Sequence, residues 1–547
     1  MNYKIYIIIS VLFILFALAN IFTSLPIERG DNYYNILGTE GLIKYNFKPI
    51  GDYDIFQHQS AVILNHPPLF FHLWALILLI FINPLALNIF SIIFIILSAI
   101  LLVKIIKLVY PVSDRTLMII YFLFLFTPLI IQGSYLIDLD VILPFSMLLF
   151  VYFYLKNPKN IILNSLLFSL IWFTKIQGIP IIVLSLLLYL VFAKKSKKDY
   201  FYSIGTIITG SIIFFLLMAG YSYAVNSNVE RMFAHSSILG IISAQLNSPL
   251  KAIMTSLWSF KQLIIWVIPS VFILYLLSIF KFFKEARLKD NKMILPILIG
   301  IITLLELIPI STYGWNFPKY YSEFVPFMFI ASAVLIDKIK IKKKDIALLA
   351  ILAIVFTFYF LVIPDPYIPE VNNFFTHKDY ANIIYKVLVN FDLLLIPIII
   401  TFFVYKGWQK KDFYKALVLG MIILFISINI MQIIKPYSTN NLYGDKQEDL
   451  KATLNYLKEN TNSTDKLLLF PHVGYYARNE NNTNWYNSML CYNSYDCMAN
   501  VTANKDIKFM QFYPKDLERL DGKLKGIVEQ EFKYNKRFGD YIIYKRI

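Results

Sequence analysis

Long runs that are apolar on every side dominate this chain, among them Met1 to Leu25, Leu85 to Val103 and Ala347 to Pro364. A soluble element alternates apolar and polar faces, and these stretches have no polar face to turn to water. About 20 such residues cross a hydrocarbon core as a helix. The composition agrees: of 547 residues 58% are hydrophobic and 16% charged, far from the make-up of a soluble domain. Mean hydropathy is +0.60. The first run is expected to be a span rather than a removed signal peptide. It is long for a signal core, and no small-residue cleavage site follows at Ser24-Leu25-Pro26.

The formal charge of +16 comes from 51 basic and 35 acidic residues. In a soluble chain it would raise the question of nucleic acid; here it gathers in short loops between apolar runs, where it sets orientation. The loops Lys104–Arg115, Lys156–Lys159, Lys194–Lys198, Lys281–Lys292, Lys338–Lys344 and Lys406–Lys415 hold 23 lysines and arginines, against 9 in the intervening loops. The basic set is assigned to the cytoplasm. That assignment requires the apolar segment Pro67–Ile82 to lie along the outer interface, followed by a true span at about 86–103.

The expected fold is therefore mainly α, a polytopic transmembrane helical fold of about thirteen spans over residues 1–434. Its N-terminus is cytoplasmic, and residues 26–85 form the first outer loop with its interfacial helix. Residues 435–547 form a small extracytoplasmic α/β domain, with a helix over Asp445–Asn460 and strands at Lys466–Phe470 and Asp540–Tyr544. Cys491 and Cys497, the only cysteines, fall in this tail, where an oxidising compartment favours a disulfide between them over two free thiols. Asn462, Asn481 and Asn500 each begin an N-x-Ser/Thr triplet there, a weak support for the same topology.

Ionisable groups near a bilayer are costly unless paired or hydrated, so they mark where chemistry is to be sought. Asp31, in Gly30-Asp31-Asn32-Tyr33-Tyr34, follows the first span: either a solvated loop carboxylate or a general base at the water–lipid boundary. His66 opens His66-Pro67-Pro68-Leu69; the prolines start a helix, and the imidazole is either a loop residue or a substrate contact. Asp138 and Asp140 sit in a short outer loop beside a span; about 200° apart if one helix includes both, they are expected to send only one carboxylate to a shared site. Asp140, next to the apolar run Val141–Phe150, is the better placed, with helix capping as the alternative. Lys175 and Lys319 are outer lysines that break the positive-inside bias, by snorkelling toward headgroups or by neutralising a phosphate at the outer leaflet.

At these residues the chain resembles the GT-C glycosyltransferases, in the branch of the dolichyl-phosphate-mannose–protein mannosyltransferases and the lipid A aminoarabinose transferase. Asp31-Asn32-Tyr33-Tyr34 is similar to that family's first-loop Asp with a nearby Tyr, and His66-Pro67-Pro68-Leu69-Phe70 to its H-P-P-L-aromatic stretch. Asp140 falls where an acid opens the fourth span, Lys175 where a T-K pair follows the fifth, and Pro318-Lys319-Tyr320 at the late basic-aromatic pair. The ordered set covers roughly the first 340 residues. Asn32 stands where many members have a second acid, which bears against any role needing adjacent carboxylates, and the W-W-D signature of the oligosaccharyltransferases is absent.

The resemblance implies a GT-C-like fold and an inverting transfer of a monosaccharide from a polyprenyl-phosphate donor to a protein, lipid or glycan hydroxyl on the outer face of the cell membrane. Asp31 would be the catalytic base, and Lys175 and Lys319 would bind the donor phosphate. Tyr34, His66, Asp138, Asp140 and Tyr320 would line the pocket. It leaves room for a divalent cation, Mg or Mn, organised by Asp140, although the sequence shows no metal site. The other classes open to such a chain are a transporter or lipid flippase, for which no internal repeat speaks, and a polysaccharide polymerase or ligase.

Overall fold

The computed structural model describes residues 3–23, 31–44, 46–48, 67–81, 83, 85–134, 136–225, 269–285, 291–312, 318–338, 343–362, 447–462, 464–470, 503–514 and 522–547, with shorter pieces at 263, 266–267, 399, 418–420, 422–424, 426–427, 430, 472–474, 476–477, 484–487, 499 and 517. The helices are α1 Tyr3–Thr23, α2 Asp31–Lys44, α3 Leu69–Phe81, α4 Leu85–Val109, α5 Asp114–Leu125, α6 Pro128–Gly133, α7 Leu139–Lys156 and α8 Ile161–Thr174. They continue with α9 Gly178–Phe192, α10 Lys197–Val225, α11 Pro269–Glu285, α12 Ile294–Thr312, α13 Val325–Ile336 and α14 Lys343–Val362.

Among the described residues α4, α7 and α10 are long and apolar enough to cross a membrane by themselves, and several shorter apolar helices stand beside them. Large apolar side chains face outward along α1, α3, α10 and α14, such as Ile8, Ile80, Leu216 and Phe358. Such a surface is stable against lipid, not water. The chain is a multi-pass membrane protein.

α7 is the most enclosed of the three long helices, 72% of its apolar window lying inside the protein against 28% for α10. It packs on α4 and α8, and α8 in turn packs on α10. A glycine allows that last approach: a Cβ at Gly210 would stand 2.7 Å from the Ser165 carbonyl oxygen and 2.8 Å from Phe168 Cδ1. Between α5 and α6 the chain bends at Thr127-Pro128, where proline has no N–H to continue the ladder and opens the next helix instead. At the far end of α13, Asp337 ties that helix to the start of α5. Its carboxylate accepts from the Ser113 N–H and hydroxyl at 2.9 Å each and from the Thr116 hydroxyl at 2.7 Å.

The segment Pro67–Ile82 contains α3, whose 13 residues reach about 20 Å at 1.5 Å per residue, short of a ~30 Å core. Phe70, Phe71, Trp74 and Ala75 are buried on one side of it, and Leu79, Ile80 and Phe81 are exposed on the other. The following helix, α4, extends at both ends beyond the span expected at 86–103. One element differs from the sequence reading: the first outer loop is partly helical. α2 forms because Asn35, Ile36, Thr39 and Leu42, spaced one and two turns apart, make a buried face. Ile36 and Leu42 pack into the apolar cluster of α3. With two glycines and few apolar residues, that stretch reads as loop until its partner is in place.

The tail is the small α/β unit expected of it. α15, Gln447–Asn460, buries Leu450, Leu454 and Leu457 against a sheet of β1 Lys466–Leu469, β2 Asn484–Asn487, β3 Ile507–Phe512, β4 Phe532–Phe538 and β5 Tyr541–Arg546. α16, Gly522–Glu531, leads into β4. The strand order is β2-β1-β3-β5-β4, parallel across β2, β1 and β3 and antiparallel across β3, β5 and β4. β4 and β5 are joined through Gly539, at φ +53, where a Cβ would collide with the Asp449 carboxylate. Tyr476 packs on the α2–α3 cluster as well as on the tail's own core, which sets the tail against that end of the bundle. Cys491, Cys497, Asn481 and Asn500 lie outside the described residues; Asn462 is exposed in the turn after α15.

Candidate functional site

Four charged side chains from three separate segments meet inside one end of the bundle. Asp138 is the N-cap of α7, extended at φ −141 and ψ 145, and its carboxylate accepts from the Asp140 N–H at 3.2 Å. Asp140 lies in the first turn of the same helix. Lys175 is the extended C-cap of α8, and its ammonium is in direct contact with the Asp140 carboxylate. Lys319 stands in a 3-10 turn, Pro318–Tyr321, before α13 and reaches both acids, Asp138 at 2.7 Å and Asp140 at 3.3 Å. Tyr320 lies between the two cations, its ring centre 4.7 Å from the Lys175 ammonium and 5.1 Å from that of Lys319.

The expectation that only one of the two aspartates faces a shared site is corrected by this geometry. It assumed one helix running through both residues, whereas Asp138 is extended and Asp140 lies in the first helical turn. That change turns both carboxylates toward Lys319. Helix capping, posed as the alternative role for Asp140, falls to Asp138, which is ion-paired as well. Nor do the lysines snorkel: Lys175 is 5% and Lys319 2% exposed, and both heads point at carboxylates. Ions so enclosed are tolerable only when paired.

The frame around the quartet is hydrogen-bonded from several sides. The Ser322 hydroxyl donates to the Asp140 carbonyl at 2.6 Å, fixing the 3-10 turn to α7. Ser146 and Thr174 join α7 to α8 through their hydroxyls at 2.8 Å. The loop before Asp138 is held by Ser91 of α4, donating to the Leu136 carbonyl at 2.8 Å, and by Asn35 of α2, donating to the Ile137 carbonyl at 2.7 Å. Asn35 lies in the second turn of α2, which begins at Asp31, so the start of that helix docks beside the Asp138 loop. The side chains of Asp31 and Tyr34, and His66 altogether, lie outside the described residues.

Sequence reasoning missed two acids. Glu306 lies in the apolar helix α12 and Glu323 in the turn between the 3-10 segment and α13. Each has a buried carboxylate oxygen with no hydrogen-bond partner among the described residues. Burial pushes the Glu323 carboxyl up from its ordinary range, and the charge of Asp140 adds to this while Lys175 opposes it. The signal was present: a lone Glu in Thr303-Leu304-Leu305-Glu306-Leu307 is an ionisable residue inside an apolar run.

A divalent cation does not fit at Asp140. Its carboxylate is committed to two ammonium groups, which would repel the ion, and among the described residues no three acidic, histidine or cysteine side chains converge as ligands.

No protein-family model and no curated protein matches the sequence. The likeness lies in three dimensions. ArnT from Cupriavidus metallidurans in the apo state superposes with a TM-score of 0.59 at 12% identity, over 98% of this chain and 97% of that one. Its structure bound to undecaprenyl phosphate gives a TM-score of 0.59, also at 12% identity, over 98% of both chains. The fold is that of ArnT. The likeness of fold covers nearly the whole chain, bundle and tail together. The archaeal oligosaccharyltransferase of Archaeoglobus fulgidus is a more distant match, with a TM-score of 0.46 at 12% identity over 98% of this chain and 72% of that one. At such identity the likeness to ArnT is one of fold, and the chemistry of this chain has to be argued from its own residues.

Proposed function

We propose that this protein is an inverting glycosyltransferase that moves a monosaccharide from a polyprenyl-phosphate donor to an acceptor hydroxyl on the outer face of the membrane. The observation that carries the proposal is the buried quartet of Asp138, Asp140, Lys175 and Lys319, gathered at one end of an ArnT-fold bundle beside the start of α2. The acceptor oxygen attacks the anomeric carbon, the bond from that carbon to the phosphate oxygen breaks, and the lipid phosphate departs with the electron pair. The hydroxyl proton passes to Asp31. A carboxylate of ordinary pKa near ~3.9 is a weak base for an alcohol, so that transfer is late, as the new bond forms.

Lys175 and Lys319 stabilise the growing charge on the leaving phosphate. An ammonium has three donors, and the carboxylate contact of Lys175 occupies one of them. Asp140 thereby aims Lys175, and Asp138 aims Lys319. In a partly dehydrated pocket such preorganised charge is worth far more than in water. Tyr320 walls the pocket beside the two cations; Tyr34 and His66, of the first outer loop in the sequence, are proposed as further substrate contacts. The tail, from residue 435, belongs to the same outer side.

Support for a lipid phosphate comes from the ArnT structure bound to undecaprenyl phosphate. The test is a transfer assay on the purified full-length chain with a panel of polyprenyl-phosphate-linked monosaccharides, following release of polyprenyl phosphate. Donor-dependent release with inversion at the anomeric carbon is expected for at least one sugar. Lipid movement between leaflets without release, or turnover only with diphosphate-linked glycans, would overturn the proposal.

A further inference from the structure

The end of the bundle opposite the charged quartet holds a second site. α7 runs from Asp140 at one site to Lys156 at the other, about 24 Å along its axis. There a cavity of about 90 Å³ opens among the ends of four helices. That is several times the ~10–15 Å³ that one water needs. Three lysines from three different segments wall it: Lys156 at the end of α7, Lys195 in the turn between α9 and α10, and Lys292 just before α12. Tyr154 and Tyr189 form its inner side, and Asp199 is its one acid.

The charge of that cavity is unbalanced. Three lysines against one aspartate leave a net +2, and the aspartate is already engaged. Its carboxylate accepts from the Ser196 N–H at 3.0 Å and the Ser196 hydroxyl at 2.7 Å, as the cap of the turn into α10. The tyrosines keep the basic wall close to the apolar core: Tyr154 is buried and bonded to the Ser203 hydroxyl at 2.7 Å, and the Lys195 ammonium lies 5.5 Å from the Tyr189 ring centre. The Lys195 turn is fixed by its own backbone, with Lys194 at φ +50 and the Lys195 N–H bonded to the Leu190 carbonyl at 3.0 Å. Orientation in the membrane needs positive charge near the surface but does not require it to converge on one concave space.

We propose that this cavity binds a phosphate-bearing anion, with Lys156, Lys195 and Lys292 as its cationic contacts and Tyr154 and Tyr189 as its floor. Three lysines on a concave wall suit a compact, multiply accepting anion. Such a group is carried by an anionic phospholipid of the adjacent leaflet and by free phosphate, and the test separates these sources.

The full-length protein is placed in nanodiscs of phosphatidylcholine alone or with phosphatidylglycerol, and its lysines are acetylated briefly and read residue by residue by mass spectrometry. Phosphatidylglycerol is expected to slow modification of Lys156, Lys195 and Lys292 at least fivefold, while Lys197 and Lys198, next to the cavity but outside its wall, change less than twofold. In phosphatidylcholine discs, millimolar inorganic phosphate giving the same pattern would make free phosphate the ligand. Lys292→Gln should remove the protection of Lys195 while the protein still elutes as one species. No protection by either probe, or equal protection of Lys197 and Lys198, would overturn the proposal, the latter showing general surface attraction. The readout does not involve sugar transfer, so it stands or falls independently of the proposed activity.

Discussion

Replacing Lys175 by methionine separates a lysine that stabilises a leaving phosphate from one that only completes a buried ion pair. Methionine keeps most of the apolar stem and removes the charge. The Lys175 and Asp140 side chains are 6% and 4% exposed, so neither ion is bathed by water. Stripping one partner from such a pair costs about 3–5 kcal/mol when the other is left alone. Here Asp140 keeps Lys319 at 3.3 Å, so the cost to stability should fall to about 1–3 kcal/mol. Loss of a preorganised cation facing developing charge is a separate and larger effect on rate, about 2.7–4 kcal/mol, or 10²–10³-fold in kcat. Lys319→Met is the harsher change, since that ammonium contacts both acids.

The two effects part in a double variant. Asp140→Asn with Lys175→Met removes both charges and leaves Lys319 with Asp138, so thermal stability in detergent should return to within about 1 kcal/mol of wild type. Turnover with a saturating polyprenyl-phosphate donor should stay down. Wild-type turnover in Lys175→Met, or turnover that recovers together with stability in the double variant, would refute the role given to this lysine.

Asp31→Asn should fold and bind donor but lose roughly 10²–10⁴-fold in kcat, while the same change in its loop neighbour Asp52 is tolerated; a fully active Asp31→Asn enzyme would remove the base. At Asp337, burial raises the carboxyl, but the hydrogen bonds from Ser113 and Thr116 outweigh it and hold the folded value below the ordinary one. Its contribution is therefore complete at neutral pH and lost as pH falls below about 4, so Asp337→Asn should lower the melting temperature at pH 7 and the gap to wild type should close in acid. Gly210→Leu should destabilise by about 1–3 kcal/mol because its Cβ meets the Ser165 carbonyl, whereas Gly220→Leu, on the same helix with nothing within 4 Å, should leave the melting temperature unchanged. Intact mass before and after reduction and alkylation should show Cys491 and Cys497 bridged in protein isolated without reductant; two free thiols would contradict the pairing.

What the sequence determined follows from the bilayer's indifference to detail. Any long run of apolar residues becomes a helix in lipid because its backbone can be satisfied in no other way, so Leu85–Val109 and Leu139–Lys156 were legible as they stand. The tail's α15 and β1 were legible for the usual reasons in soluble units, since Leu450, Leu454 and Leu457 recur at helical spacing and Lys466–Phe470 carries a short continuous apolar run. The candidates Asp138, Asp140, Lys175, Lys319 and Tyr320 were legible one at a time, as polar residues where polarity is costly. Their meeting was not. Lys319 is 181 residues from the aspartate it contacts, and no local pattern encodes such a distance. Tertiary packing also made a helix of Asp31–Lys44, by giving Ile36 and Leu42 an apolar cluster to enter. It turned Asp138 and Asp140 to the same partner through a change from extended to helical backbone, which helical periodicity alone does not describe. It gathered Lys156, Lys195 and Lys292, ordinary members of three basic loops, around one cavity. Periodicity reports which side of an element is apolar, whereas charge pairing depends on which elements come together, and only the folded bundle settles that.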